Sequence, residues 1–236
     1  MNAGDRTWPT RCWSLGCYAI AVVGLFGSVI CTTLAGCNKP QAPASSSSAS
    51  ITDTVSRHTQ RLLTNPEIQK TVSGRPQPEA MALLDTLARR GFKRLSNEQL
   101  LQRAVIRGRL LASVDVTTCA AIVRDAATTA QMNTALAKLE TAEVEKFLTL
   151  KEAAVLAEAR QQQPPAFAQD TEFPPAFGAL LEALPQEQAE HLAMLLSGEP
   201  TRASNDDLCW AERTFLDTLV SLREPYRSSL TRGVVQ

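Results

Sequence analysis

Histidine is scarce in this chain: two residues in 236, His58 and His191. They lie far apart in the sequence, and neither belongs to a cluster of Cys and His, so no zinc or other metal site is expected. The chain has no Gly-rich phosphate loop, no Gly-x-Ser-x-Gly elbow and no His-Glu-x-x-His helix. Those spacings carry nucleotide binding, serine hydrolysis and zinc peptidase chemistry, so their absence removes the sequence-level case for each, and no cofactor is implied. Sustained two-residue alternation of apolar and polar residues is also missing, which leaves no candidate strand.

What is present begins in the first fifty residues. Arg6 and Arg11 stand against Asp5, and residues 12–36 carry no charge. A positive start, an apolar run and small residues before a cut point make a secretory signal. The run closes at Leu34-Ala35-Gly36-Cys37. This tetrapeptide resembles the lipobox of bacterial prolipoproteins, which reads Leu, a small residue, Gly or Ala, then Cys. The resemblance covers the signal region only. It implies diacylglyceryl transfer to the Cys37 thiol, cleavage between Gly36 and Cys37, and acylation of the new α-amine with a chain such as palmitate. Ser28-Val29-Ile30-Cys31 and Ser14-Leu15-Gly16-Cys17 fit less well, because Ile is large before a cut and Cys17 lies early. The competing reading is an uncleaved membrane anchor, since residues 12–36 exceed the roughly 20 needed to span a bilayer. By resemblance to enterobacterial lipoproteins, Asp after the lipid-bearing Cys favours the inner membrane. Asn38 stands there instead, which points to the outer membrane, facing the periplasm. Residues 38–50 are Pro- and Ser-rich with no large apolar side chain. They are expected to form a disordered tether with a reach of about 20 Å.

Export sorts the six Cys. Cys12, Cys17 and Cys31 leave with the signal, and Cys37 takes the lipid. Cys119 and Cys209 remain in an oxidising compartment, where a disulfide between them is expected. It would close a loop of about 90 residues, with a chain-entropy ceiling of roughly 4–5 kcal/mol. The alternative is two separate buried thiols packing as small hydrophobes. Removing residues 1–36 takes away two Arg and one Asp, which leaves 22 Lys+Arg and 23 Asp+Glu. So balanced a chain has no global attraction to nucleic acid or to an anionic membrane.

From residue 51 onward Ala, Leu, Glu, Gln and Arg dominate with helical spacing, and an all-α domain of seven to nine helices is expected. Asn65-Pro66 reads as a break and restart, Ser96 with Gln99 as a capping box, and Asp115 and Ser204 as further N-caps. Gly91 reads as a C-terminal cap. Pro164-Pro165-Ala166-Phe167 recurs as Pro174-Pro175-Ala176-Phe177. A double Pro is expected to interrupt any helix. The domain therefore divides into an N-terminal half, 51–162, a Pro-rich linker, 163–174, and a C-terminal half, 175–236. The linker reads either as a docking segment for a partner or as a connector whose Phe side chains pack on their own domain. Leu95 precedes Cys119 much as Leu184 precedes Cys209, so the halves also read as a degenerate repeat of a helix pair.

One charge asymmetry remains. Arg89, Arg90, Lys93, Arg94, Arg103, Arg107 and Arg109 crowd residues 89–109 against Glu98 alone, while residues 161–201 hold acids and no Lys or Arg. Outside the cytoplasm nucleic acid is not a partner. The basic stretch therefore reads either as a patch for lipid headgroups or an acidic protein, or as charge solvated or compensated within the fold. Arg103 and Arg107, at i and i+4, share a helix face. Cys119 or Cys209 with His191 is a weak nucleophile pairing, and Glu182 with Glu187 or Glu190 is a conceivable carboxylate pair for glycan hydrolysis. The expectation is a lipid-anchored envelope lipoprotein that binds or assembles another envelope protein without catalysis. A periplasmic hydrolase acting on cell-wall glycan is the alternative.

Overall fold

The computed structural model describes residues 46–197 and 203–234, with side chains from Ile51 onward. The described residues form eleven α-helices and no strand. The all-α class holds, and the count exceeds the expected seven to nine because several short pieces stand as separate helices. The order is α1 (Ser46–Thr64), α2 (Pro66–Val72), α3 (Gln77–Phe92), α4 (Asn97–Ala112), α5 (Val116–Val123) and α6 (Thr129–Leu136). Then follow α7 (Thr141–Ala159), α8 (Gln169–Glu182), α9 (Gln186–Ser197), α10 (Asn205–Ser221) and α11 (Tyr226–Gly233). Helix α1 begins at Ser46, inside the segment expected to be tether.

Local chemistry sets most of the starts. Asn65 Oδ1 accepts from Glu67 N, with Pro66 at the first helical position of α2. Ser96 and Gln99 bracket the start of α4 reciprocally, and Thr128 and Gln131 do the same for α6. Asp115 accepts from Thr118 N, and Ser204 Oγ from Asp207 N. Each cap satisfies an amide that the first turn leaves unpaired.

Two buried clusters make up the interior. The smaller gathers Leu62, Ile68 and Val72 with Met81, Leu84, Phe92 and Val155, from α1, α2, α3 and α7. The larger gathers Leu110, Ile122, Leu136 and Phe147 with Leu180, Leu192, Phe215 and Leu230. It draws on both sides of residues 163–174, so the Pro-rich segment connects two parts of one interior. Helix α7 runs through both clusters. Where α3 crosses it, a Cβ on Gly91 would overlap the Ala154 carbonyl. Gly91 lies within α3 and allows that close crossing; it is not the cap expected of it.

Two further features tie the C-terminal helices to the first half of the chain. The Cys119–Cys209 disulfide joins α5 to α10, with a Cα–Cα separation of 5.7 Å. From α11, the buried Arg232 donates to Lys93 O, Leu95 O and Asn97 Oδ1, which closes the turn between α3 and α4. The helix pairs that carry the cysteines are unequal, since α5 has 8 residues and α10 has 17.

The second double Pro departs from expectation. Pro174 and Pro175 lie inside α8, five residues past its start, and not in front of a helix beginning at 175. The amides they lack would have bonded the carbonyls of Asp170 and Thr171. Both of those residues are exposed, where backbone carbonyls can bond to water.

Candidate functional site

The basic stretch does not form one surface. Arg103 is 5% exposed and Arg107 2%. The guanidinium of Arg103 lies 4.2 Å from the ring centroid of Phe92. Arg107 Nε donates to Glu212 Oε1 at 2.8 Å, with both side chains buried between α4 and α10. Of the two readings of the basic stretch, these contacts are those of charge compensated within the fold. The i, i+4 spacing is real, but it turns both residues inward, where an aromatic face and a carboxylate receive them. Arg89 pairs with Asp125 at 3.3 Å, Arg94 with Glu158 at 2.5 Å, and Arg109 with Glu143. Arg94 also donates to Gln162 O. Arg90 is exposed and Lys93 half-buried. The compensating acids are Asp125, Glu143, Glu158 and Glu212, none of them from residues 161–201.

Asp170, Glu172, Glu182, Glu187 and Glu190 lie exposed on α8 and α9. Glu190 accepts from Gln186 and Glu172 from Ala168 N, so both serve local helix ends. On α9, Glu187, Glu190, His191 and Met194 follow i, i+3, i+4, i+7 spacing and share the outward face. Met194 is 60% exposed there. His191 stacks on Trp210 of α10, with centroids 4.6 Å apart, and its Nε2 lies 3.4 Å from Asp207 Oδ1. Asp207 Oδ2 also accepts from Ser204 Oγ at 2.7 Å. The carboxylate stands between the hydroxyl and the imidazole, so Ser204 is a helix cap whose hydroxyl meets Asp207 and not His191. Both thiols considered for a Cys–His nucleophile are in the disulfide.

A polar cluster around the buried His58 lies where α1, α3 and α7 meet, and sequence spacing did not reveal it. His58 on α1 has a side chain 4% exposed. Its Nε2 lies 2.7 Å from Glu145 Oε2 and its Nδ1 3.3 Å from Glu152 Oε2. The two acids are seven residues apart, two turns along one face of α7. Arg57 Nη2 lies 3.4 Å from Glu145, and Arg61 Nη2 3.7 Å from Glu152. Arg61 Nη2 also stands 2.7 Å from each ring nitrogen of His58. Beside them Lys151 Nζ donates to Asp85 Oδ1 at 2.6 Å. The hydrogen bond from His58 holds the Glu145 carboxyl below its ordinary range, against a small opposing effect of desolvation. Burial pushes the Asp85 carboxyl up, and Lys151 opposes this. The one signal available beforehand was the pairing of Arg57, His58 and Arg61 on α1 with Glu145 and Glu152 on α7. That pairing becomes visible only once the two helices are known to be neighbours.

A cavity of about 20 Å³ adjoins the cluster, lined by Val55, His58, Thr59, Leu62, Met81, Leu84, Leu148 and Lys151. That is room for about one water. The arrangement can hold a proton and fasten helices together. Among the described residues no group of three or more His, Cys, Asp or Glu is placed to hold a metal ion, and no helix is long and apolar enough to cross a membrane. Gly36, Cys37 and the apolar run 12–36 lie outside the described residues.

No protein-family model, curated protein or solved structure matches this chain.

Proposed function

We propose that this protein is an envelope lipoprotein, anchored through lipid on Cys37 and facing the periplasm from the outer membrane. There it acts as a non-enzymatic binding or assembly factor for another envelope protein. The Leu34-Ala35-Gly36-Cys37 tetrapeptide supports the anchor, and Asn38 supports the outer membrane. The Pro- and Ser-rich composition of residues 38–50 supports a short flexible tether with a reach of about 20 Å. That keeps the helical body at the membrane surface. The observation that carries the binding role is the outward face of α9, where Met194 stands 60% exposed, three residues on from His191, which stacks on Trp210 of α10. Methionine and aromatic side chains are enriched where proteins meet one another.

Two experiments test the two parts. Palmitate labelling in cells is expected on the wild type and absent from Cys37→Ala; label that persists without Cys37 would return the uncleaved anchor as the reading. A photo-crosslinker at Met194 is expected to capture a discrete envelope protein, and Met194→Glu to abolish co-purification of that protein. If crosslinks are no more frequent there than at the exposed Arg90, the binding role on α9 fails. Release of soluble fragments from purified cell-wall glycan, lost in Glu187→Gln, would transfer the function to the hydrolase alternative.

A further inference from the structure

We propose that Gln163–Phe167, the first Pro-Pro-Ala-Phe with the Gln before it, is a docking strap that seats on another protein, in a groove lined with Trp and Tyr rings. The strap is separate from the outward face of α9, and it needs neither that face nor the lipid anchor.

The fold holds this stretch of chain at both ends and leaves its middle unused. Residues 162–168 lie in no helix, strand or turn, and Gln161 to Ala166 are exposed in an unbroken run. At the α7 end, Gln161 takes a left-handed φ of 50°, uncommon for a residue other than glycine. Its amide donates to Glu158 O, and that of Gln162 to Ala157 O. The guanidinium of Arg94 donates to Gln162 O. At the α8 end, Ala168 N donates to Glu172 Oε1, and Ala168 O accepts from Thr171 N and Glu172 N. Between these anchors, no backbone group of residues 163–167 meets a hydrogen-bond partner among the described residues. Phe167 belongs to neither buried cluster and is not among the side chains packed against them, whereas its counterpart Phe177 packs on the larger. A segment that only joined α7 to α8 would gain by packing its ring on the interior, as the second copy does.

Proline fixes φ at about −65°, and the residue before a proline is driven to extended or polyproline II backbone. Gln163 and Pro164 both precede a proline. The strap is therefore set in polyproline II geometry before anything binds, and seating it costs little conformational entropy. Residues 161–169 carry no charge, so ion pairing does not recognise them. What the strap offers is two apolar pyrrolidine rings, a Phe ring and carbonyls without an internal partner. Flat aromatic faces receive the rings, and Trp Nε1–H or Tyr O–H donates to the carbonyls.

The test places a photo-crosslinking residue at Gln163 of the full-length protein in cells, with the same residue at the exposed Arg90 as control. The crosslink is expected to join one envelope protein at a Trp- or Tyr-bearing peptide, with a yield well above that at Arg90. In detergent extracts of the envelope, a synthetic peptide of residues 161–169 is expected to suppress it. The same peptide with Pro164→Ala and Pro165→Ala should need about tenfold more, the cost of ordering the freed backbone. Raising salt from about 0.1 M to about 1 M should leave the yield unchanged, because no ion pair is there to be screened. A yield at Gln163 no higher than at Arg90 overturns the proposal, and so does a crosslink to a second copy of this chain or to a peptide without Trp or Tyr. Equal competition by the two peptides overturns it as well, as does loss of the crosslink at high salt.

Discussion

The same four residues, Pro-Pro-Ala-Phe, occur twice and take two structures. Pro164–Phe167 runs without helix or strand after the end of α7, with Pro164, Pro165 and Ala166 exposed. Pro174–Phe177 lies within α8, with Ala176 fully buried. The difference comes from the neighbours. Three Gln precede the first copy, and Asp170 and Thr171 follow Phe167 at helical spacing, so no apolar stripe forms. The second copy has Phe173 before it and Leu180 after it, so that Phe173, Phe177 and Leu180 fall at i, i+4, i+7. The rings of Phe173 and Phe177 stack with centroids 5.9 Å apart, and Leu180 is buried in the larger cluster. Glu172 accepts from Ala168 N at the start of α8, and Asp170 and Glu172 place negative charge in its first turn. A helix-interior Pro costs about 3 kcal/mol, from the missing bond and from the ring's clash with the carbonyl four residues back. Here the orphaned carbonyls belong to exposed residues, and burying one side chain such as Leu180 contributes about 1.5–3 kcal/mol. The burial of one face of α8 offsets the cost of its two prolines.

Paired substitutions at matching positions can break or sharpen this contrast. The largest effect is expected from Ala176→Asp, which puts a charge into the apolar interior. It should lower stability by about 3 kcal/mol or more in chemical denaturation, while Ala166→Asp should stay within about 0.5 kcal/mol. Equal effects would mean that the first copy is buried as well. Next, Phe177→Ala is expected to cost about 2 kcal/mol and Phe167→Ala less than half of that, because only Phe177 stacks on a second ring. Gly233→Ala comes third. A Cβ there would overlap the ring of Phe173, so about 1 kcal/mol is expected, and a double-mutant cycle with Phe177→Ala should show coupling. The smallest effects are expected from proline removal, and with opposite signs. Pro174→Ala with Pro175→Ala restores two helix amides and should raise the denaturation midpoint slightly. Pro164→Ala frees the unfolded chain and should lower it by no more than about 0.5 kcal/mol. The same sign at both sites would show that α8 gains nothing from the restored amides.

The caps were legible in the sequence because their partners lie two to four residues away. Asn65, Ser96, Asp115 and Ser204 each meet the amide that their spacing promised. The six cysteines left Cys119 and Cys209 as the pair, and these are the bonded two. Gly91, by contrast, followed by Lys and Arg, looked like a helix stop. What decides its role is the Ala154 carbonyl on another helix. Arg103 and Arg107 read either as part of a patch or as charge compensated within the fold, because nothing local marks which side of α4 points inward. Glu212, which receives Arg107, lies 105 residues away, and Glu145 lies 87 residues from His58. No spacing rule spans such separations.

Taken alone, the sequence determined that the chain is helical, where most helices begin, and which two cysteines meet. Each depends on hydrogen bonds within one turn, on apolar periodicity or on counting. Only the tertiary structure decided that Pro174 and Pro175 ride inside a helix, that two arginines of a basic run are buried, and that a lone histidine stands between two carboxylates. Those outcomes turn on which surfaces water can reach and which helices touch. Both are properties of the packed body, and no short stretch of chain carries them.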